Sequence, residues 1–156
     1  MTARAIGNGV GRIDVDDAYS ISSWASGYFE VGRGGDLEVV VGGGQVPLVE
    51  IIEDLRGYGY SLPLILRFPQ LIEQRLDRLN DVFAHSMTEA GFAGSYQGVY
   101  PVKVNQRRVI VETIAEYGAK YRTGLEAGSK AELALILVQD IHPEALIQGN
   151  GFKDDD

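Results

Sequence analysis

The chain has no cysteine and only two histidines in 156 residues. The first absence excludes disulfides and thiolate metal sites, and removes any pointer to secretion. Two histidines without cysteine give no support for a catalytic triad or a transition-metal centre. His85 falls in a long helical pattern as a surface residue, and His142 precedes Pro143 in a turn. Cations are scarce as well, with 14 Lys and Arg against 22 Asp and Glu and a net charge of −8. That balance argues against nucleic acid, whose phosphates need a basic surface. No apolar run approaches the ~18 residues of a membrane span. Met1-Thr2-Ala3-Arg4 leads into polar, Gly-rich sequence and not into a signal-peptide core. The expectation is a soluble cytoplasmic protein with neither nucleic-acid nor membrane partners.

What is present suits one ordinary domain, with 45% hydrophobic residues to build a core. Residues 1–18 are Gly- and Asp-rich and read as a flexible N-terminus. Residues 19–61 read as a short β segment followed by a helix. Tyr28 to Val31 and Leu37 to Val41 flank Gly32-Arg33-Gly34-Gly35-Asp36 as a hairpin. Its glycines could suggest a phosphate loop, but no Lys-Ser/Thr follows and no helix opens from them, so the turn reading prevails. Pro47 opens a helix carrying Leu48, Ile51, Ile52 and Leu55, and Gly57 ends it.

Residues 62–156 have the alternating grammar of an α/β fold. Leu62 to Phe68 reads as a strand stopped by Pro69. Gln70 to Ala90 reads as a long amphipathic helix with Ile72, Leu76, Leu79, Phe83 and Met87 as its core stripe. Tyr96 to Val104 is predicted as a strand, Gln106 to Tyr117 as a helix burying Val109, Ile110, Ile114 and Ala115, and Tyr121 to Leu125 as a second strand. Ser129-Lys130-Ala131-Glu132 is a capping box opening a helix to about Val138. Ala145 to Gln148 is a third strand, broken by Gly149-Asn150-Gly151. This order implies parallel strands with helical crossovers.

Lys103, Glu126 and Asn150 fall at corresponding strand ends, 23 and 24 residues apart. Repeats of that length build a (β/α)8 barrel of ~250 residues, whose catalytic groups gather where the strands end. The chain holds two such units and a third strand, so the expected fold is the N-terminal part of a barrel, incomplete here, as in a truncated chain or gene fragment. A lone ammonium at the end of an apolar strand is costly unless paired, neutral or covalently engaged. Lys103 is therefore a candidate Schiff-base lysine, and a carboxylate such as Glu126 could stabilise its charged form. Gly128, Gly149 and Gly151 would let a planar cofactor approach the backbone. Plainer readings stay open: Lys103 can snorkel, Glu126 can serve the next helix N-terminus and Asn150 can be a turn residue.

Tyr96-Gln97-Gly98-Val99-Tyr100-Pro101-Val102-Lys103-Val104-Asn105-Gln106 resembles the lysine segment of the biosynthetic arginine decarboxylases. These are pyridoxal phosphate (PLP) enzymes of the alanine-racemase-like barrel group. Gly124-Leu125-Glu126-Ala127-Gly128-Ser129-Lys130-Ala131-Glu132-Leu133 resembles their second strand and helix, and Asn150-Gly151-Phe152-Lys153-Asp154 their third strand end. Tyr19 to Trp24 and Gly27-Tyr28-Phe29 are similar to their N-terminal β segment, whereas Gly32 to Gln45 matches poorly, as a lineage-specific loop would.

The resemblance implies decarboxylation of L-arginine to agmatine and CO2, a step in polyamine synthesis. It makes Lys103 the catalytic lysine that carries PLP. Glu126 becomes a cofactor-binding acid close to the lysine and substrate. Magnesium and a homo-oligomer are implied by the family alone, and no metal-ligand pattern is visible. The phosphate loop, the pyridine-nitrogen partner and the substrate-recognising acids belong to later strands, so a chain of this extent is expected to be inactive and poorly folded alone. The alternative is a catalytically dead PLP-binding or interaction module.

Overall fold

The computed structural model describes residues 18–25 and 27–151. The expectations for residues 1–17, and for the third-strand resemblance beyond Gly151, lie outside them. The chain divides into two compact units, residues 1–66 and 67–156.

In the first unit, a short helix α1 (Ile21–Ala25) precedes strands β1 (Phe29–Val31), β2 (Leu37–Val41) and β3 (Gly44–Pro47) and helix α2 (Leu48–Gly57). The strands form an antiparallel meander in which Phe29 faces Val39 and Val39 faces Val46. The hairpin expected across Gly32 to Asp36 is there, closed by the Gly32 amide donating to the Asp36 carbonyl at 2.8 Å. The helix opened by Pro47 is there too. The third strand was not foreseen. Val41 and Gly44 pair across Gly42 and Gly43, at φ 60° and 81°. A two-residue hairpin loop needs left-handed backbone at both positions, which two glycines supply without strain. The Gly32 to Gln45 stretch thus runs from the β1–β2 turn through β2 and the Gly42-Gly43 loop into β3. Ile21 to Ala25 is helical, where a β segment was expected. Ile21 and Ala25, one turn apart, are buried together, and a strand would have put both on one face only by leaving Ser23 there too.

In the second unit, a long helix α3 (Pro69–Glu89) leads to β4 (Val99–Pro101), a 3-10 turn (Val102–Val104), α4 (Arg108–Gly118), a second 3-10 turn (Ala119–Tyr121), β5 (Gly124–Ala127), α5 (Lys130–Leu137) and β6 (Ile147–Gly149). The three strands are parallel in the order β4-β5-β6. The β-α-β-α-β order read from the sequence therefore holds, and the unit is α/β. Its core is Val102, Val111, Ile114, Leu125, Ala127 and Ile136, with Ile72, Tyr100, Ile110, Leu135 and Ile141 packed against it.

Several expectations need correction. Leu62 to Phe68 joins no ladder. Its apolar residues suit a strand, but a strand exists only where a neighbour accepts its amides. The other strands are shorter or later than expected. β4 covers only Val99 to Pro101 because the chain then tightens into a 3-10 turn, and β5 starts at Gly124 because a second 3-10 turn and a left-handed Arg122 (φ 55°) intervene. Gly124 suits that entry, since a Cβ there would collide with the Leu146 carbonyl. The buried face of α4 is Val111, Ile114, Ala115 and Gly118, while Val109 is exposed. A 3.6-residue period places Val111 with Ile114 and Ala115, and turns Val109 away. Phe83 is not core either. It is 41% exposed and stacks on Tyr96, ring centroids 3.9 Å apart. α3 packs along α4 and buries no residue completely.

A polar cluster joins these two helices. Tyr117 and Tyr121 each donate their hydroxyl to the Asp77 carboxylate at 2.7 Å, and Lys120 Nζ lies 2.8 Å from Asp77 Oδ1. Lys120 also sits 3.9 Å over the Tyr117 ring. The Lys120 contact first, then the two hydroxyls, hold the Asp77 carboxyl down at about 2 against an ordinary 3.8. The same bonds push Lys120 and Tyr121 upward. A depressed carboxyl contributes stability that is complete above its ordinary value and disappears as pH falls through the folded value. The Asp77 contribution should therefore fade between about pH 4 and pH 2. In Asp77→Asn, far-UV circular dichroism should lose this acid-dependent component, and the amides of residues 117–121 should exchange hydrogen faster at neutral pH. Identical acid titrations for both chains would show that the cluster does not fasten the helices.

Candidate active site at the strand ends

The carboxyl ends of the parallel strands are where an α/β fold gathers the polar groups that meet a ligand. The other ends are closed here. Gln97 Nε2 donates to the carbonyls of Arg122 and Glu144 at 2.8 and 3.0 Å, pinning together the entries to β4, β5 and β6. Sequence reasoning missed this residue, because a glutamine before a strand carries no signal until two other loops converge on it.

At the carboxyl ends, the turn after β4 sets Lys103 between a fully buried Val102 and a Val104 that is 68% exposed. Val102 anchors the turn in the core, and Lys103 projects from a fixed base. Along β5, Leu125 and Ala127 are buried in the core while Glu126 is only partly buried. Side chains alternate between sheet faces, so Glu126 lies on the face opposite the helices. Pro101 is in register with Glu126, and Glu126 with Gln148. Lys103 and Asn150 are each two residues beyond that line. The three residues are therefore not at equivalent strand ends as expected: Glu126 sits one level lower, inside its strand.

They nevertheless meet. Glu126 Oε1 accepts from Asn150 Nδ2 at 2.7 Å and lies 3.7 Å from Lys103 Nζ. The length of the glutamate side chain lets a residue below the rim reach two residues above it. Glu126 is thus engaged with Lys103 and Asn150, not with the N-terminus of α5. That terminus is served by Ser129, whose Oγ accepts from the Glu132 amide at 3.2 Å. Glu132 reaches back as the capping box requires, one residue further than expected, accepting from the Gly128 amide at 2.6 Å. Its other oxygen accepts from Gln106 Nε2 at 2.9 Å. This ties the loop after Lys103 to the loop after Glu126. The capping pattern was visible in sequence, but the partner 26 residues away was not.

Residues 72–156, more than half of the chain, match the family of the pyridoxal-dependent decarboxylases, over its pyridoxal binding domain. The chain belongs to the pyridoxal-dependent decarboxylases. Among proteins of this kind, it is 45% identical over 155 residues to the biosynthetic arginine decarboxylase of Deinococcus radiodurans, covering 99% of this chain and 23% of that protein. It is 45% identical over 141 residues to that of Prochlorococcus marinus (strain MIT 9313), covering 87% of this chain and 22% of the relative. The crystal structure of the biosynthetic arginine decarboxylase SpeA from Campylobacter jejuni superposes with a TM-score of 0.81 at 37% identity, over 87% of this chain and 22% of that one. The chain thus spans less than a quarter of the length of these relatives. Lys103, Glu126 and Asn150 all fall inside the matched decarboxylase segment.

The donor set suits the aldehyde cofactor of these decarboxylases. Lys103 offers a primary amine that is half-exposed, facing one carboxylate at ion-pair distance. Among the described residues, no three His, Cys, Asp or Glu side chains come together as metal ligands, and no helix is long and apolar enough to cross a membrane. Glu132→Ala removes the acceptor for both Gly128 and Gln106. It should cost about 1–2 kcal/mol and speed hydrogen exchange in residues 103–108 as well as at Gly128. Faster exchange confined to Gly128 would mean that Gln106 does not hold the lysine loop.

Proposed function

We propose that the chain is the beginning of the (β/α)8 barrel of an arginine decarboxylase, with residues 67–156 supplying its first strands and the N-terminal unit preceding it. The reaction is conversion of L-arginine to agmatine and CO2. The observation that carries this reading is the convergence of Lys103, Glu126 and Asn150 at the carboxyl ends of three parallel strands, within the segment related to the pyridoxal-binding domain.

In this reading, Lys103 is the catalytic residue that tethers PLP through its amine, and Glu126 is a cofactor-binding residue. The bound cofactor supplies an electron sink for the pair released when the α-carboxylate leaves as CO2. Lys103 provides the fixed attachment point, because Val102 beside it cannot move without opening the core. Glu126 lies at ion-pair distance from the lysine nitrogen and keeps that nitrogen at the rim. A partly exposed pair of this kind is worth up to ~1 kcal/mol, too little to lock the amine away. Lys103 would hold the cofactor, and its amine beside Glu126 would be placed to hold or donate a proton at the rim. The substrate is assigned on similarity to the arginine decarboxylases. A cytoplasmic, homo-oligomeric enzyme is the accompanying proposal. Magnesium rests on the family resemblance alone.

Incubation with PLP, borohydride reduction and peptide mapping test the assignment. Label should concentrate on Lys103 over Lys120, Lys130 and Lys153, and Lys103→Ala should abolish that excess. Label spread evenly over the lysines would remove the case for a PLP site and favour an interaction module. The reaction is tested in a full-length enzyme that carries this segment: it should release agmatine and CO2 from arginine, and preferred conversion of another amino acid would overturn the substrate.

A further inference from the structure

Asn150 is the one member of the rim cluster to which the proposed chemistry gives no task. Its backbone amide donates to the Ala127 carbonyl at 2.8 Å, which holds the residue against β5 directly above Glu126. Its side-chain amide donates to Glu126 Oε1 at 2.7 Å, the same oxygen that lies 3.7 Å from Lys103 Nζ. The two distances differ in kind. The first is a short hydrogen bond to a charged acceptor, the stronger and more directional class. The second is a loose ion pair whose lysine side chain is 55% exposed. Such a pair does not by itself fix two long side chains, because the entropy of ordering them is comparable to its gain. Something else must orient the carboxylate, and Asn150 is placed to do so.

We infer that Asn150 is a positioning residue that clamps the Glu126 carboxylate by its Oε1, and through it holds the cofactor-bearing end of Lys103 in one orientation at the strand-end rim. This rests on Lys103 being the PLP lysine. Asn150 does not touch the reacting atoms. It acts by removing the rotational freedom of the carboxylate to which the lysine nitrogen points. An amide suits the task, since it donates a hydrogen bond without adding a charge that would compete with Lys103 for Glu126.

The pyridoxyl group left on Lys103 after borohydride reduction is a fluorophore carried on an amine nitrogen, which can still pair with Glu126. Its fluorescence anisotropy reports how firmly the lysine end is held. The same label on Lys130, exposed on α5, is the freely rotating reference. In the unmodified chain, the Lys103 label should have the higher anisotropy. Asn150→Leu, which keeps much of the volume but no donor, and Asn150→Ala, which removes the amide without adding bulk, should both bring it down to the Lys130 level. Asn150→Gln, which retains an amide, should recover at least half of the difference. Far-UV circular dichroism identifies which variants are folded, and the Ala variant, which adds no bulk, decides if the Leu variant is not. Unchanged Lys103 anisotropy in a folded Asn150→Leu or Asn150→Ala chain would overturn the inference and leave the PLP assignment standing. Absence of Lys103 label in the unmodified chain would instead overturn the PLP assignment, and this inference with it.

Discussion

The alternation of side chains along β5 is the constraint on which the second unit depends. Leu125 and Ala127 point into a core shared with α4 and α5, and Glu126 between them points the other way. A single strand flanked on both sides by parallel partners thus does two jobs. Its apolar face closes the helix layer, worth ~25 cal/mol for each Å2 of apolar surface removed from water. Its polar residue is delivered to the opposite face at a height set by the register with Pro101 and Gln148. A one-residue slip would exchange the faces, burying a carboxylate in the core and exposing a leucine. The packing that stabilises the unit and the placing of the acid are therefore the same event.

Around β5 the two ends of the sheet are treated differently. At the amino ends, Gln97 and the backbone bonds of Gly124 and Leu125 knit three loops together. At the carboxyl ends the polar groups face one another, Asn150 to Glu126 and Glu126 to Lys103. Glu132 braces the loops behind them. The Asp77 cluster lies apart from these contacts, between α3 and the end of α4. It secures a helix pair whose apolar contact is incomplete, which explains why a partly exposed carboxylate collects two hydroxyls and an ammonium.

Much of this was legible in the residues. The hairpin at Gly32 to Asp36, the helix after Pro47, the long helix before Gly91, the capping box at Ser129 and the parallel β-α-β-α-β order all follow from local patterns. Lys103 stood out as a cation in an apolar run. Its relation to Glu126 and Asn150 was readable from spacing, although not their heights. Other features were not readable. Leu62 to Phe68 has strand composition but no partner. Val109 looked like core by residue type and lies off the buried arc of its helix. The Gly42-Gly43 hairpin and the 3-10 turn under Lys103 depend on two- and three-residue geometries that leave only faint marks in composition.

The sequence by itself determined the alternation of elements, the helix caps and the identity of the residues at the rim, because these depend on interactions within a few residues along the chain. Only the tertiary structure decided which oxygen of Glu126 faces Lys103 and Asn150, which loops Gln97 and Glu132 join, and that Asp77 meets Tyr117 and Tyr121. These contacts join groups 23 to 47 residues apart, and their geometry is set by strand register and helix packing, which no local pattern encodes. Side-chain length mattered in the same way. A glutamate below the rim reaches a lysine and an asparagine above it, and that becomes visible only when the three strands lie side by side.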